Sequence, residues 1–107
     1  MARTAAADPT IVRFRRALNE MYGDRIDRVV LFGLRSRGDS RTSSDYDVAV
    51  FLHDMHDRSA EMDRLAALGA NIVSRTGEVV RAMPYRAGAY TELTPLMLGI
   101  RTDGIDL

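Results

Sequence analysis

The 107-residue sequence contains neither cysteine nor lysine. Without cysteine, disulfide bonds, thiolate chemistry and cysteine-ligated zinc are excluded. The absence of lysine excludes a lysine nucleophile or base. All 15 basic residues are arginines, whose guanidinium groups can donate two hydrogen bonds at once to phosphate or carboxylate oxygens. The formal net charge is zero, so we expect no broad surface for a membrane and no direct binding of nucleic acid.

Long hydrophobic runs are also missing. No stretch approaches the roughly 20 apolar residues that a membrane helix needs, and the alanine-rich start lacks the apolar segment of a signal peptide. A hydrophobic content of 46% with 28% charged residues is nevertheless ordinary for a folded domain. We therefore expect a flexible tail over residues 1–8, a single domain over residues 9–107 and a cytoplasmic location.

Three helices are predicted from capping residues and from apolar residues at helical spacing. The first helix begins at Asp8 with Pro9 and ends at Gly23. The second begins at Asp54 or Asp57 and ends at Gly77. The third begins at Thr91 or Thr94 with Pro95 and ends at Gly104. The residues expected to face the core are Ile11, Phe14, Leu18, Met21, Met62, Leu65, Ala66, Leu68, Ile72, Val73, Leu96, Met97 and Ile100.

Three strands are predicted between these helices, over residues 27–32, 46–52 and 78–85. The first two are apolar on both faces and should be central, and a short helix is expected after Gly33. The resulting order, α-β-α-β-α-β-α, predicts an α/β (α+β) domain with a small mixed sheet and helices packed on it.

The segment between the first two strands carries the candidate chemistry. The first strand ends at Gly33, the loop contains Arg37, and Asp45 and Asp47 lead into the second strand. Carboxylates two residues apart on a strand point to the same face and repel each other unless a cation lies between them. Because Mg²⁺ is commonly held by one or two carboxylates together with substrate phosphates, we predict a metal site here. A glycine turn lets backbone amides approach phosphate oxygens.

These residues resemble the signature of the minimal nucleotidyltransferase (MNT) family of the polymerase-β superfamily. The matching positions are Gly33, Arg37, Gly38, Ser44, Asp45 and Asp47, and the stretch over residues 94–105 resembles the closing helix of such proteins. The resemblance implies a polymerase-β-like core in which Asp45 and Asp47 bind Mg²⁺ and act in catalysis. Gly33 and Arg37 would bind the nucleotide, and Ser44 would either contact phosphate or hydrogen-bond within the loop.

Two positions qualify that resemblance. The superfamily usually carries a third carboxylate on a later strand, and Glu78 is the candidate, with an exposed glutamate at a strand start as the alternative. Leu34 replaces the family serine, so one possible hydrogen-bond donor to phosphate is absent.

The resemblance also implies a function. Minimal nucleotidyltransferases of this size are often antitoxins paired with a helical HEPN-type toxin, to which they transfer AMP from ATP at a tyrosine hydroxyl. We therefore expect an Mg²⁺-dependent adenylyltransferase in a hetero-oligomer with such a toxin. Leu34 keeps open the alternative of a catalytically impaired antitoxin that neutralises its toxin by binding alone. A transferase acting on a small-molecule hydroxyl is a third, less favoured hypothesis.

Overall fold

The computed structural model describes residues 7–33 and 46–107. The helices in this part of the chain are α1 (Pro9–Tyr22), α2 (Arg58–Thr76) and α3 (Pro95–Asp103). The strands are β1 (Ile26–Phe32), β2 (Tyr46–Leu52), β3 (Val80–Arg86) and β4 (Ile105–Asp106), and short 3₁₀ turns lie at Gly23–Arg25 and Ala87–Thr91. None of the described helices is both long and apolar enough to span a bilayer. The short helix expected after Gly33 falls outside the described residues.

The three predicted helices are confirmed, and each begins at a side chain that accepts a backbone hydrogen bond. The N–H groups donate from Thr10 to Asp8 at 2.8 Å, from Ala60 to Asp57 at 3.1 Å and from Met97 to Thr94 at 3.2 Å. Asp57 and Thr94 are therefore the caps, rather than Asp54 and Thr91. Gly77 ends α2 in the left-handed conformation, with φ of 77°, which favours glycine.

The sheet is mixed, as predicted, with strand order β3-β2-β1-β4. β1 pairs with β2 and with β4 in antiparallel orientation, and β2 pairs with β3 in parallel orientation. β4 was not predicted, because a two-residue strand after a helix end shows no alternation to detect. The predicted bounds of β2 are confirmed, β1 begins one residue earlier than predicted, and β3 runs over 80–86 rather than 78–85.

Successive residues of the strands face two different cores. The helix-pair face packs under α1 and α2; its buried residues are Ile11, Phe14, Leu18, Tyr22, Val29, Leu31, Tyr46, Val48, Val50, Leu52, Met55, Leu65, Leu68, Ile72 and Val80. The α3 face is smaller; its buried residues are Val30, Ala49, Phe51, Met97 and Ile100. The alternation along β2 places residue 47 on the α3 face.

Several residues expected in the core are exposed instead: Met21, Met62, Ala66, Val73 and Leu96. In α1 and α2 the helical period explains why these residues are exposed. In α1 the buried residue one turn after Leu18 is Tyr22 rather than Met21, and in α2 the buried stripe through Leu65 and Leu68 continues to Glu61. The predicted positions Met62 and Val73 lie to one side of that stripe, in a groove between α2 and β3.

Candidate functional site

The α3 face ends at a carboxylate. Asp47 is the second residue of β2 and pairs with Phe32, the last residue of β1. Further along the same face of β2, Ala49 and Phe51 are fully buried, whereas the Asp47 side chain is 30% exposed. Asp47 therefore stands at the point where the α3 core gives way to solvent, fixed by the ladder between the two central strands.

Gly33 places backbone directly against this carboxylate. Its φ of 85° lies in the left-handed region, which residues with a side chain rarely adopt. A Cβ added at Gly33 would lie 3.1 Å from Oδ2 of Asp47. Only glycine therefore suits both the turn and the space beside the carboxylate, and one approach to Oδ2 is kept clear of a side chain.

Arg81 lies on the other side of Asp47. The parallel register pairs the two residues across β2 and β3, and Nε of Arg81 is 3.3 Å from Oδ1 of Asp47. The guanidinium side chain is 65% exposed. Sequence reasoning missed this neighbour, because it depends on the orientation and register of β3. Once β3 is known to run parallel to β2, alternation puts Arg81 on the α3 face with Tyr85.

Glu78, the candidate third carboxylate, does not open β3. It lies two residues before the strand, in the turn after α2, where its backbone N–H donates to Oγ1 of Thr76 at 3.0 Å. The β3 residue beside Asp47 is thus a cation rather than an acid. The catalytic role of Glu78 stays a prediction.

The other positions named in the sequence motif lie outside the described residues; they are Leu34, Arg37, Gly38, Ser44 and Asp45. Within residues 7–33 and 46–107, no three histidine or acidic side chains come together as a metal-binding group. Asp47 is the member of the predicted aspartate pair that the structure describes. Its carboxylate supplies the hard oxygen ligand that Mg²⁺ prefers, the side chain is partly exposed, and Gly33 places no side chain beside Oδ2, so Asp47 fits a divalent ion.

A depression of about 210 Å³ adjoins the glycine turn. Its lining is Phe32, Gly33, Pro95, Leu96, Gly99, Ile100 and Asp103. The depression is therefore bounded by the end of β1 and by α3, next to the carboxylate described above.

A second polar cluster lies at the opposite end of the sheet, near the start of β1. The buried carboxylate of Glu61 accepts hydrogen bonds from the Tyr22 hydroxyl at 2.9 Å, Nη2 of Arg25 at 2.7 Å and Nη1 of Arg64 at 3.0 Å. Burial raises the pKa of Glu61, but the hydrogen bonds from Arg25 and Tyr22 outweigh it and hold that pKa below its usual value. Burial and the Glu61 hydrogen bond raise the pKa of Tyr22 to about 12. The cluster joins α1 to α2 and is structural.

Fold and site together define an α/β domain with a carboxylate and a glycine turn at one end of a mixed sheet, a class of site suited to phosphates. The family model described as "Nucleotidyltransferase domain" matches residues 11–87. Since this is more than half of the chain, the protein belongs to the nucleotidyltransferase domain family. The predicted family resemblance and fold class are both confirmed.

A curated relative from Methanocaldococcus jannaschii, named "Putative protein adenylyltransferase MJ0141", is 38% identical over 45 residues. The match covers 42% of this chain and 46% of the relative, so the chain spans less than half of that relative's length.

Several solved structures share the fold. One is a variant of the toxin–antitoxin complex MntA–HpeT, with a TM-score of 0.63 and 20% identity over 88% of this chain and 69% of the other. A toxin–antitoxin structure with AMP-PNP has a TM-score of 0.63 and 22% identity over the same shares. A Shewanella oneidensis complex of a tri-AMPylated HEPN toxin with an MNT antitoxin has a TM-score of 0.54 and 18% identity over 91% and 70%.

Proposed function

We propose that this protein is an Mg²⁺-dependent nucleotidyltransferase that acts as an antitoxin and transfers AMP from ATP to a tyrosine hydroxyl of a HEPN-type toxin. The observation that carries the proposal is the Asp47 carboxylate held against the Gly33 turn. Membership of the nucleotidyltransferase family supports the reaction class. The relative named as a protein adenylyltransferase and the AMPylated toxin complex support a protein acceptor.

Each site residue then has a distinct task. Asp47, together with Asp45, would hold the metal, which when bound neutralises negative charge on the triphosphate. The backbone at Gly33 and the guanidinium of Arg37 would hold phosphate oxygens. The acceptor hydroxyl oxygen forms a bond to the α-phosphorus, the bond from that phosphorus to pyrophosphate breaks, and the hydroxyl proton is released to solvent or to a base. The chain contributes positioning and charge and forms no covalent intermediate.

The depression beside Gly33 supports a nucleotide as the ligand. A triphosphate held at Asp47 and Gly33 would leave the nucleoside near the wall formed by Phe32 and Leu96, which offers apolar surface to a base.

Exposed leucines near the start of α3 support a protein partner. Leu93 is 84% exposed, and Leu96 and Leu98 are about half exposed. Leu93 and Leu96, three residues apart where α3 begins, are large exposed apolar side chains of the kind found at protein–protein contacts. A partner seated on this surface would approach the depression from the α3 side and could present its hydroxyl there.

The test is transfer of label from α-³²P-ATP, with Mg²⁺, to the toxin encoded by the adjacent reading frame. The wild type should label the partner, and Asp47→Asn should reduce the rate by on the order of 100-fold or more, because charge stabilisation worth several kcal/mol is lost. Asp63→Asn, an exposed aspartate on α2, is the matched control and should transfer normally. Equal labelling by Asp47→Asn and the wild type would contradict the proposal.

The second candidate function is neutralisation by binding alone. The observation that favours it is Arg81, a cation beside the carboxylate that should hold the metal, and Leu34 adds to it. This function predicts no transfer by the wild type and full suppression of toxicity by Asp47→Asn. A toxicity-rescue assay run beside the labelling assay separates the two functions.

A further inference from the structure

The ion pair between Arg81 and Asp47 affects how a metal ion can bind at Asp47. Nε of Arg81 lies 3.3 Å from Oδ1 of Asp47, while Oδ2 faces the Gly33 turn. One carboxylate oxygen thus lies next to the positive charge of Arg81, and the other adjoins backbone. A divalent ion approaching Asp47 alone meets a like charge within the reach of one side chain.

The ion pair with Asp47 is itself a weak hold on Arg81. Its side chain is 65% exposed, and exposed ion pairs of this kind change an equilibrium by roughly two- to fivefold. The guanidinium carries several donors in a planar fork that matches phosphate oxygens. A metal–triphosphate complex therefore offers Arg81 new acceptors when the metal takes its place at Asp47, whereas a free metal ion offers none.

We propose that Arg81 is a nucleotide-binding residue that exchanges Asp47 for phosphate, so that the site disfavours free divalent metal and accepts metal together with a nucleoside triphosphate. This inference rests on the proposed function, because it takes Asp47 to be a metal ligand. It assigns a task to Arg81, the residue beside Asp47 on β3. The predicted third carboxylate, Glu78, lies before that strand. The free ion is positively charged and the metal–triphosphate complex is negatively charged, so one arginine attracts the second and repels the first.

The test measures metal binding and nucleotide binding separately in Arg81→Met. Free Mn²⁺ is followed by its electron paramagnetic resonance signal, and Mn²⁺ with AMP-PNP by calorimetry. Arg81→Met should bind free Mn²⁺ about two- to fivefold more tightly. It should bind Mn²⁺ with AMP-PNP about tenfold more weakly, because a charge-assisted hydrogen bond to phosphate is lost.

Arg86→Met is the matched control. Arg86 ends the same strand, is exposed like Arg81, and its removal changes the net charge by the same amount. It should leave both affinities unchanged. Arg81→Lys keeps the charge and should keep the weak binding of free Mn²⁺; a lysine variant that binds free Mn²⁺ as tightly as Arg81→Met would overturn the charge argument. Thermal melting of each variant shows that it is folded.

Failure of this inference is distinguishable from failure of the proposed function. If wild type and Asp47→Asn bind Mn²⁺ with AMP-PNP equally, the metal site itself is wrong and both fall. If binding depends on Asp47 but Arg81→Met matches Arg86→Met in both measurements, the site stands and the inference about Arg81 is overturned.

Discussion

The two faces of the sheet differ in how completely they are covered. Among the described residues, fifteen buried residues form the core of the helix-pair face with α1 and α2. Five form the core of the α3 face, which is covered by a nine-residue helix and by Ala89 and Tyr90 of the 3₁₀ turn. On the helix-pair face β2 is buried from Tyr46 to Leu52, but on the α3 face it emerges at Asp47. Stability therefore comes mainly from one face, and polar chemistry is placed where the cover of the other face ends.

The same division applies to the two polar clusters. Glu61 is 5% exposed, and its carboxylate accepts three hydrogen bonds that link α1 to α2. Asp47 is six times more exposed and borders a glycine turn and an exposed arginine. A buried carboxylate with three hydrogen-bond donors stabilises the fold, whereas a partly exposed one can take a ligand.

The largest expected effect is the loss of stability when a buried aromatic side chain is truncated to alanine on one face or the other. Phe14→Ala on the helix-pair face should lower the free energy of unfolding by about 3–5 kcal/mol, since a fully buried aromatic ring is removed. Nucleotide affinity of the folded fraction should be unchanged. Phe51→Ala on the α3 face should cost a similar amount and should also weaken nucleotide binding. Urea denaturation measures the free energy of unfolding, and calorimetry measures the nucleotide affinity. Equal loss of nucleotide binding in both variants would contradict the placement of the site on the α3 face.

A smaller effect is expected from the buried carboxylate. Glu61→Gln should destabilise the fold by about 2 kcal/mol at neutral pH, because hydrogen bonds to a charged acceptor are weakened. The pKa of Glu61 is lowered in the folded state, so its contribution is fully present above the usual value of 4.5 and is lost as the pH falls through the folded pKa. The stability gap between wild type and variant should therefore shrink at acid pH.

Denaturation curves from pH 7 to pH 3 check this expectation. Tyr22→Phe serves as the control, since it removes one donor to Glu61 and leaves the carboxylate in place. A gap between wild type and Glu61→Gln that is the same at pH 3 and pH 7 would refute the linkage.

The smallest expected effect tests the glycine turn. Gly33→Ala and Gly77→Ala should each cost about 1 kcal/mol of stability, because φ is 85° and 77° at these positions. A Cβ at Gly77 meets nothing within 4 Å, whereas one at Gly33 meets Oδ2 of Asp47 at 3.1 Å. Only Gly33→Ala should therefore weaken nucleotide binding. Calorimetry with Mn²⁺ and AMP-PNP decides between them, and equal affinities would mean that the turn does not shape the site.

The sequence predicts the elements of this fold well because their signals are local. Asp8, Asp57 and Thr94 cap helices through residues two or three positions away, and the alternation along β2 is visible in seven residues. The errors come from non-local features. β4 is too short for alternation, and Met62 and Val73 lie at a groove whose other wall is β3.

The candidate site divides in the same way. Gly33 and Asp47 were both named from the motif, and their proximity follows from the pairing of β1 with β2. Arg81 is 34 residues from Asp47 in the chain, so its place beside the carboxylate depends on the register of a parallel pair, which no local pattern encodes. The roles of all the predicted site residues stay predictions; these residues are Gly33, Arg37, Ser44, Asp45, Asp47 and Glu78.

The most direct test of the central claim, that ligand chemistry lies at the open end of the α3 face, is amide NMR during titration with Mn²⁺ and AMP-PNP. Paramagnetic broadening should remove the signals of Gly33, Asp47 and Arg81 at substoichiometric Mn²⁺, and those of Phe14 and Leu65 should stay sharp. Asp47→Asn should abolish this selectivity. Broadening that begins around Arg25 and Glu61, or that is uniform over both faces, would contradict the account.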